Sequence, residues 1–532
     1  MQSDDKRYLG QVLATLRSYR TSTNMPLCAN PIDDEVFESL VEIESKLTED
    51  TFDIFRFKKP LLILWKKLIE KSIVCLRYFD TREPFGKPDV KKAPYAYGVQ
   101  NLYEYFEKYN DFENLLYGGS EYYRDHVIHV IRVWIIGTDI LLRDKAKFIH
   151  RIEIVKGFAF SDFEKLSVWS IIAMTHDLGY PLEKSMKIMD KTKDMMKCFI
   201  QNPVLSMDFS FSGVQNLMND FVIRFMSSKM WRVKDCSTIA IESDSGAEEK
   251  DKEYFVARLQ PKFYFKFQKS LEQNNHGILS SLLIYKMLLY FLESDYSTNE
   301  DYVFDEEDTR QFYMRREILR SISSHTCQDI YQLHLYSFSL LLIIADDAQE
   351  WGRKQISELY VQKDTGYEFK GIDIVDAESS EGNTCIMTEQ YTISNSKQFK
   401  HILEQFRRIS LGYNAWFRDG QDTDKRDFNF VKITKVVVKM GGSDKDVELS
   451  LHINKREASY FDIKFDTARC KECGLEEIVL QLFGEPKDAN DAKDVKEAKN
   501  VKETKNAKNG SYIYHVVDVE QYVEECKEKK DN

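Results

Sequence analysis

The stretch LSVWSIIAMTHDLGYP, residues 166–181, decides how the fold of this chain is predicted. An apolar run leads into His176 and Asp177, and Gly179 and Pro181 then end the helix that the run predicts. A buried imidazole or carboxylate is costly unless it is paired, hydrogen-bonded or bound to a metal. The pattern therefore indicates a helical core with ionisable groups placed inside it.

The same combination of an apolar helix and an ionisable group recurs on both sides of this stretch. Upstream, His126 and His129 lie three residues apart in YYRDHVIHVIRVWIIG, so they share one face of a helix that is apolar nearly all round. Downstream, HGILSSLLIYKMLL begins with His276, REILRSISSH ends with His325, and LYSFSLLLIIA is followed by Asp346. We expect these groups to be gathered at one buried site.

Imidazole nitrogens and carboxylate oxygens together suit a divalent transition metal, namely Mn, Fe, Co, Ni or Zn, better than calcium. A metal held this way lowers the pKa of its bound water and polarises a phosphoryl oxygen. The set therefore indicates metal-assisted hydrolysis of a phosphoester. A simpler interpretation stays open for each residue taken alone, since a histidine on an apolar helix is often a hydrogen-bonded core residue and Asp346 could pair with Arg353.

The order H…HD…D on a helical scaffold resembles the HD superfamily of metal-dependent phosphohydrolases. The local contexts RDHVIHVIRVWIIG, THDLGYP and ADDAQEWGR resemble it too, and the similarity covers about residues 120–355. The resemblance implies that His129, His176, Asp177 and Asp346 hold a first metal. It also implies that Asp177 bridges the two metals in a two-metal member.

The resemblance gives expected roles to further residues. His276 and His325 resemble the extra histidines that complete a second metal site in some members, so we expect one or two metals per chain. Asp177 and His126 are the expected catalytic residues, and the expected role of His126 is to protonate the leaving oxygen or to help orient the phosphate. A position in the core is the alternative for His126. Lys184 faces either the phosphate or solvent.

The activity implied by the resemblance is hydrolysis of a phosphoester, with a nucleotide as the leading substrate class. The three-residue spacing of His126 and His129 differs from the four-residue spacing in the cyclic-nucleotide phosphodiesterases of the superfamily, so the substrate is not transferred from that branch. Two alternatives stay open. One is a nuclease of the same superfamily that acts on single-stranded nucleic acid, and the other is a non-catalytic ligand-binding or scaffold protein with a vestigial site.

Length and composition set the expected organisation. The chain has 532 residues and a formal net charge of −12, which disfavours general binding of nucleic acid and leaves a small phosphorylated molecule as the expected substrate. The predicted fold is mainly α, with a multi-helical HD-type core and a small C-terminal α+β domain. The predicted parts are a helical region over 1–118, the HD-type core over 119–355, an α+β domain with antiparallel strands over 356–484, a low-complexity charged linker over 485–510 and a tail over 511–532. The C-terminal region is where we expect a protein partner.

The sequence also predicts where the protein works. No apolar run reaches the roughly 18 residues that a membrane-spanning helix needs, and the start MQSDDKRYLG has no signal-peptide pattern. Nine scattered cysteines, an odd number, suit reduced thiols better than a disulfide framework. We therefore expect a soluble cytoplasmic protein without membrane association.

Overall fold

The computed structural model divides the chain into two compact units. The first comprises Met1–Ile330, Tyr336–Gln349 and Lys354–Ser357, and the second comprises the short stretches between these together with Glu358–Asn532. The residues that the structure describes are 4–20, 27–47, 54–81, 98–116, 125–143, 148–152, 154–155, 157–198, 200, 213–233, 254–299, 302–327, 329–330 and 337–349, and strand residues between 368 and 516.

The described part of the first unit is built mainly of helices, which confirms the prediction of a mainly helical protein there. Their bounds, in chain order, are α1 Asp4–Arg20, α2 Asp34–Lys46, α3 Ile54–Thr81, α4 Val99–Leu116, α5 His126–Arg143, α6 Phe148–Arg151, α7 Asp162–Thr175, α8 Tyr180–Met196, α9 Gly213–Ser227, α10 Pro261–Glu272, α11 His276–Met287, α12 Leu289–Leu292, α13 Glu306–Ser324 and α14 Phe338–Ala348. A short 3-10 helix covers Leu27–Ala29.

Helices α5 and α7 form the centre of this unit. Every residue of α5 from His126 to Leu142 is buried, as the all-round apolar pattern predicts. The two helices approach closely at Gly137, where a Cβ atom would lie 1.8 Å from the ring of Trp169. This close approach brings the first turn of α5 near the end of α7, where the His176–Asp177 pair lies.

The turn after α7 is fixed by hydrogen bonds to α11. The Gly179 N–H donates to Ser280 Oγ over 2.8 Å, and the Ser280 hydroxyl donates to the His176 carbonyl over 2.7 Å. A Cβ atom on Gly179 would lie 2.4 Å from the His276 carbonyl oxygen, so this position requires glycine. The turn therefore places Asp177 beside the start of α11.

The first unit also contains a small antiparallel sheet. Its strands are β1 (Ser228–Val233), β2 (Tyr254–Leu259) and β3 (Val303–Phe304), arranged in that order. The helical periodicity of the sequence predicts no strands in this region. Strand β1 follows α9 directly, and β2 leads into α10.

The described part of the second unit is a seven-stranded sheet. Its strands are β4 Glu368–Ser379, β5 Gly382–Ile393, β6 Lys432–Met440, β7 Asp446–Ile453, β8 Phe461–Asp466, β9 Val501–Asn506 and β10 Ser511–Val516. They lie in the order β4-β5-β6-β7-β8-β10-β9, and each neighbouring pair is antiparallel except β5 and β6, which are parallel. Strand β9 falls within 485–510, the segment for which the sequence predicts a charged linker.

The sequence predicts that the chain has no membrane-spanning helix and that its cysteines are reduced. None of the described helices combines the length and the apolar character that crossing a bilayer requires. The described cysteines of the first unit, Cys28, Cys75, Cys198 and Cys327, are free thiols.

Candidate metal centre

Asp177 lies at the centre of a buried cluster of histidines. Its Oδ2 atom is 3.5 Å from the Nε2 atoms of both His129 and His176. Its Oδ1 atom is 3.1 Å from His276 Nε2 and 3.8 Å from His325 Nε2. Imidazole nitrogens therefore surround both carboxylate oxygens of Asp177.

The ligand atoms form two groups that have His176 in common. In the first group, the ligand atoms of His129, His176 and Asp346 lie within 4.8 Å of one another, and His129 Nε2 is 3.0 Å from Asp346 Oδ1. In the second group, the ligand atoms of His176, Asp177 and His325 lie within the same 4.8 Å limit. Buried groups of this kind can hold a metal ion.

Two of the histidines are oriented by main-chain carbonyls. His176 Nδ1 donates to the Ala173 carbonyl over 2.9 Å, and His325 Nδ1 donates to the Ile322 carbonyl over 2.5 Å. In both cases the helix turn that precedes the histidine supplies the acceptor. Because a carbonyl can only accept, the hydrogen of each neutral ring must lie on Nδ1, and the lone pair on Nε2 points into the cluster.

Two more histidines of the cluster are oriented by side chains. His129 Nδ1 donates to Gln349 Oε1 over 2.6 Å. His276 Nδ1 donates to Glu183 Oε2 over 2.6 Å, and the same carboxylate oxygen accepts the His276 main-chain N–H over 3.1 Å. A carboxylate or carbonyl behind a histidine fixes the ring and raises its basicity, as in proteins whose histidines bind metals.

His176 provides the test of whether a cation fits this cluster. Its Nε2 atom is buried and has no hydrogen-bond partner among the described residues. This nitrogen directs a lone pair towards Asp177 Oδ2, which is itself an electron-pair donor. Two donors that face each other in a buried place repel, and a cation between them removes the repulsion. The residues present therefore fit a divalent metal.

The electrostatics of the cluster agree with this fit. Burial lowers the pKa of His176 to about 4, so the ring is neutral and able to ligate at neutral pH. Burial by itself would raise the pKa of Asp177, but His176, His276 and His325 hold that pKa well below its ordinary value. Asp177 is therefore an anion whose charge requires compensation within the protein.

The pKa of His276 moves in the opposite direction. Burial disfavours its charged form, but hydrogen bonds to Asp177 and Glu183 raise the pKa of His276 to about 9. The pKa of Glu183 falls to about 2 because His276 and Lys187 outweigh the effect of burial. A proton on His276 thus compensates part of the negative charge, at the nitrogen that would otherwise bind a metal.

His126 occupies the edge of the cluster and belongs to a second buried network. Its Nε2 atom is 3.7 Å from Asp177 Oδ2, and its Nδ1 atom donates to Glu113 Oε1 over 2.8 Å. Lys58 Nζ lies 3.6 Å from the Glu113 carboxylate and 2.5 Å from that of Asp125. Burial would raise the pKa of Glu113, but His126 and Lys58 lower it, so Glu113 is ionised.

Tyr180 and Lys184 lie where α8 leaves the cluster. The Tyr180 ring is 4.1 Å from the His126 ring, between centroids, and 5.5 Å from the His276 ring. Lys184 Nζ lies 4.6 Å from the Tyr180 ring centroid, one helical turn further along. Lys184, which the sequence places opposite either the phosphate or solvent, is half-buried and close to the cluster.

The structure thus brings together all the histidines and aspartates that the sequence analysis singles out, apart from one alternative that lies outside the described residues. That alternative is the pairing of Asp346 with Arg353. Sequence reasoning missed the partners behind the histidines, Glu113, Glu183 and Gln349. Gln349 follows Asp346 by less than one helical turn, and Glu183 lies on the first helical turn after the His176–Asp177 pair. Both could have been found by looking for hydrogen-bond acceptors close in sequence to the proposed ligands.

The helical architecture and the buried His and Asp groups are compatible with an HD-type fold and with metal binding. Comparison with family models, with curated proteins and with solved structures finds no match to this chain.

Proposed function

We propose that this chain is an HD-type metal-dependent phosphohydrolase. The observation that carries the proposal is the buried lone pair of His176 Nε2, which faces the anionic Asp177 at 3.5 Å within a ring of imidazoles. A core histidine retained only for packing would have both nitrogens satisfied, as buried polar groups generally are.

The proposed ligands fall into two sets that share Asp177. His129, His176, Asp177 and Asp346 would hold a first divalent transition metal, and His276 and His325 would complete a second site with Asp177. Metals bound there would activate water and neutralise charge on the phosphoryl oxygens. The remaining steps belong to this chain's own side chains.

His126 is the proposed proton donor. Glu113 accepts from its Nδ1 atom, which leaves Nε2 directed at the cluster. An ionised carboxylate behind the ring stabilises the imidazolium, the form that can give a proton to the leaving oxygen. Lys58 holds the Glu113 carboxylate from the other side and so keeps it in place.

The proposed substrate is a phosphoester with a nucleotide as the leading class. Lys184 provides a cation beside the cluster, and Tyr180 provides a planar ring next to it. A phosphate and an attached planar base match those two side chains, since a cation attracts phosphate oxygens and an aromatic ring stacks on a base.

Metal content per chain tests this proposal. The wild type, Asp177→Asn and the control Asp139→Asn are purified together, incubated with manganese, and analysed by mass spectrometry. Asp139 is a buried carboxylate of the same first unit that pairs with Arg143, so its replacement controls for loss of a buried charge. We expect one or two equivalents of metal in the wild type and in Asp139→Asn, and at least one equivalent fewer in Asp177→Asn.

Hydrolysis is then measured on phosphomonoesters, phosphodiesters and nucleotides with the same three proteins. We expect activity in the wild type and the control and its loss in Asp177→Asn. A wild type that binds no metal after incubation contradicts the proposal. A wild type that binds metal but hydrolyses none of these compounds contradicts the catalytic part alone and favours a binding protein.

A further inference from the structure

The small sheet of the first unit presents a basic and aromatic face. Side chains alternate across a strand, so Lys229 and Trp231 of β1 lie on one face, with Arg258 opposite Lys229 and Tyr254 further along β2 on the same face. Lys229 and Arg258 are exposed, Trp231 is 48% exposed, and Tyr254 is half-buried. We call these four residues, Lys229, Trp231, Tyr254 and Arg258, the hairpin face.

The two positive charges of the hairpin face destabilise the pair of strands that carries them. Lys229 and Arg258 are directly opposed in the antiparallel register, and like charges in that position destabilise a strand pair. Among the described residues, no carboxylate pairs with either cation. The strand sequences SKMWRV and YFVARL contain no acidic residue, although the whole chain carries a net charge of −12. The arrangement is therefore complementary to an anion.

The aromatic side chains are placed next to these cations. Lys229 Nζ lies 5.1 Å from the Trp231 ring centroid, and Arg258 Cζ lies 6.0 Å from it. Trp231 also differs from Trp65, Trp134 and Trp169, which are fully buried. An exposed indole with two cations close to it offers both a stacking surface and binding groups for phosphate.

The hairpin face is held on a packed support. Arg316 of α13 donates from Nη1 to the Ser228 carbonyl over 3.1 Å, and the Tyr313 hydroxyl lies 3.2 Å from both the N–H and the carbonyl of Met230. The same helix leads into His325, and the rise of an α-helix puts Arg316 roughly 13 Å from His325 along the axis. The face is thus preformed and attached to the helix that leads into the metal centre.

We propose that the hairpin face binds single-stranded nucleic acid, with bases stacked on Trp231 and Tyr254 and phosphates beside Lys229 and Arg258. Unpaired bases can stack on aromatic side chains of a sheet, whereas the bases of a duplex are already stacked on one another. A mononucleotide has one base and would use only part of the face. Binding here does not depend on the proposed hydrolysis.

Fluorescence anisotropy with labelled oligothymidine tests the proposal on the full chain. The titrations contain EDTA, so that metal-dependent cleavage cannot affect the result. We expect Trp231→Ala to bind about 5- to 150-fold more weakly, the loss that removal of one stacked aromatic produces. Trp231→Phe keeps a ring and is expected to retain most of the affinity, which separates loss of stacking from loss of folding.

The salt dependence tests the cations. For a single strand, log K decreases with log salt, and each phosphate that the protein neutralises contributes about 0.7 to the steepness of that decrease. The slope of the double variant Lys229→Ala/Arg258→Ala should therefore be less steep than that of the wild type by about 1.4. The matched control is Lys193→Ala/Lys197→Ala, which removes two exposed lysines of the α8 region. It should leave both affinity and slope unchanged.

Four results would overturn the proposal. They are the absence of binding by the wild type, equal losses in the hairpin-face and control variants, equal affinity for a duplex of the same length, and competition by thymidine monophosphate that is as strong as competition by the oligomer.

Discussion

The Nε2 atoms of His276 and His325 face each other at 3.2 Å. His325 cannot be the donor in its neutral form, because its Nδ1 hydrogen is given to the Ile322 carbonyl. His276 is held in its charged form by Glu183 and Asp177, which raise its pKa to about 9. In the proposed second site, a metal would replace that proton, and His276 and His325 would be its ligands.

Removing one of these two histidines should remove one metal and leave the other. We expect His325→Ala to bind one equivalent fewer than the wild type, because His129, His176, Asp177 and Asp346 stay in place. His129→Ala should affect the first site instead. Metal analysis by mass spectrometry measures both. A wild type with a single equivalent that His325→Ala retains would show that the protein binds one metal and that His325 is not a ligand.

The carboxylate behind His276 should tune metal affinity. Glu183→Gln keeps an acceptor for the His276 Nδ1 hydrogen but removes the charge, and loss of such a partner typically weakens metal binding 10- to 100-fold. Asp190→Asn, an exposed position on the same helix, is the control. Isothermal titration with manganese gives the affinities. Identical isotherms for Glu183→Gln and the control would show that Glu183 does not contribute to metal binding.

His126 should matter most where the leaving group needs a proton. His126→Gln is expected to lower kcat by a factor of about 10² to 10⁴ on an alkyl or nucleoside phosphoester, the usual contribution of a general acid. The loss should be small on a p-nitrophenyl ester, whose leaving group departs without a proton. Metal content is measured alongside and should not change. Equal losses on both substrates would assign His126 to binding or packing instead.

Asp80 should make the stability of the folded chain depend on pH, independently of the metal centre. Burial raises its pKa from 3.8 to about 6, although Arg315 and Arg310 oppose the shift. The folded chain therefore holds this proton more tightly than the unfolded chain, so stability falls as pH rises from about 4 to about 6. The loss is about 3 kcal/mol at most, and it persists above that range.

Asp80→Asn removes this titration. The melting temperature of the variant relative to that of the wild type should increase between pH 4 and pH 6 and be constant above pH 7. Differential scanning calorimetry over that range measures the difference. A difference that does not change with pH would show that Asp80 is ionised throughout.

Sequence reasoning located the cluster because burial of ionisable groups is costly and therefore visible in an apolar run. His176 and Asp177 stand out in LSVWSIIAMTHDLGYP for that reason. Glu113 and Glu183 did not stand out, because each lies among polar neighbours on a helix whose other face is exposed. Only the tertiary contacts to His126 and His276 distinguish them from ordinary surface carboxylates.

Some of the strands can likewise be predicted from the sequence, and others cannot. The runs KITKVVVKM and DVELSLHI, rich in β-branched or alternating residues, predicted β6 and β7. Strand β4 has the sequence EFKGIDIVDAES, in which a glycine and several acidic residues weaken the pattern, and it was not predicted. In β1, SKMWRV is too short for its period to be separated from that of a helix.

The distribution of the proposed ligands along the chain has a consequence for synthesis. Asp346 lies on α14, which packs against α5, and its carboxylate meets His129 at 3.0 Å. A chain still on the ribosome has no complete first site until α14 has emerged and docked, so a growing chain would not capture the ion tightly. The metal would be acquired only after α14 has docked on α5, and its binding would then stabilise the folded first unit by about 2.7 kcal/mol at a free concentration of 100 times Kd.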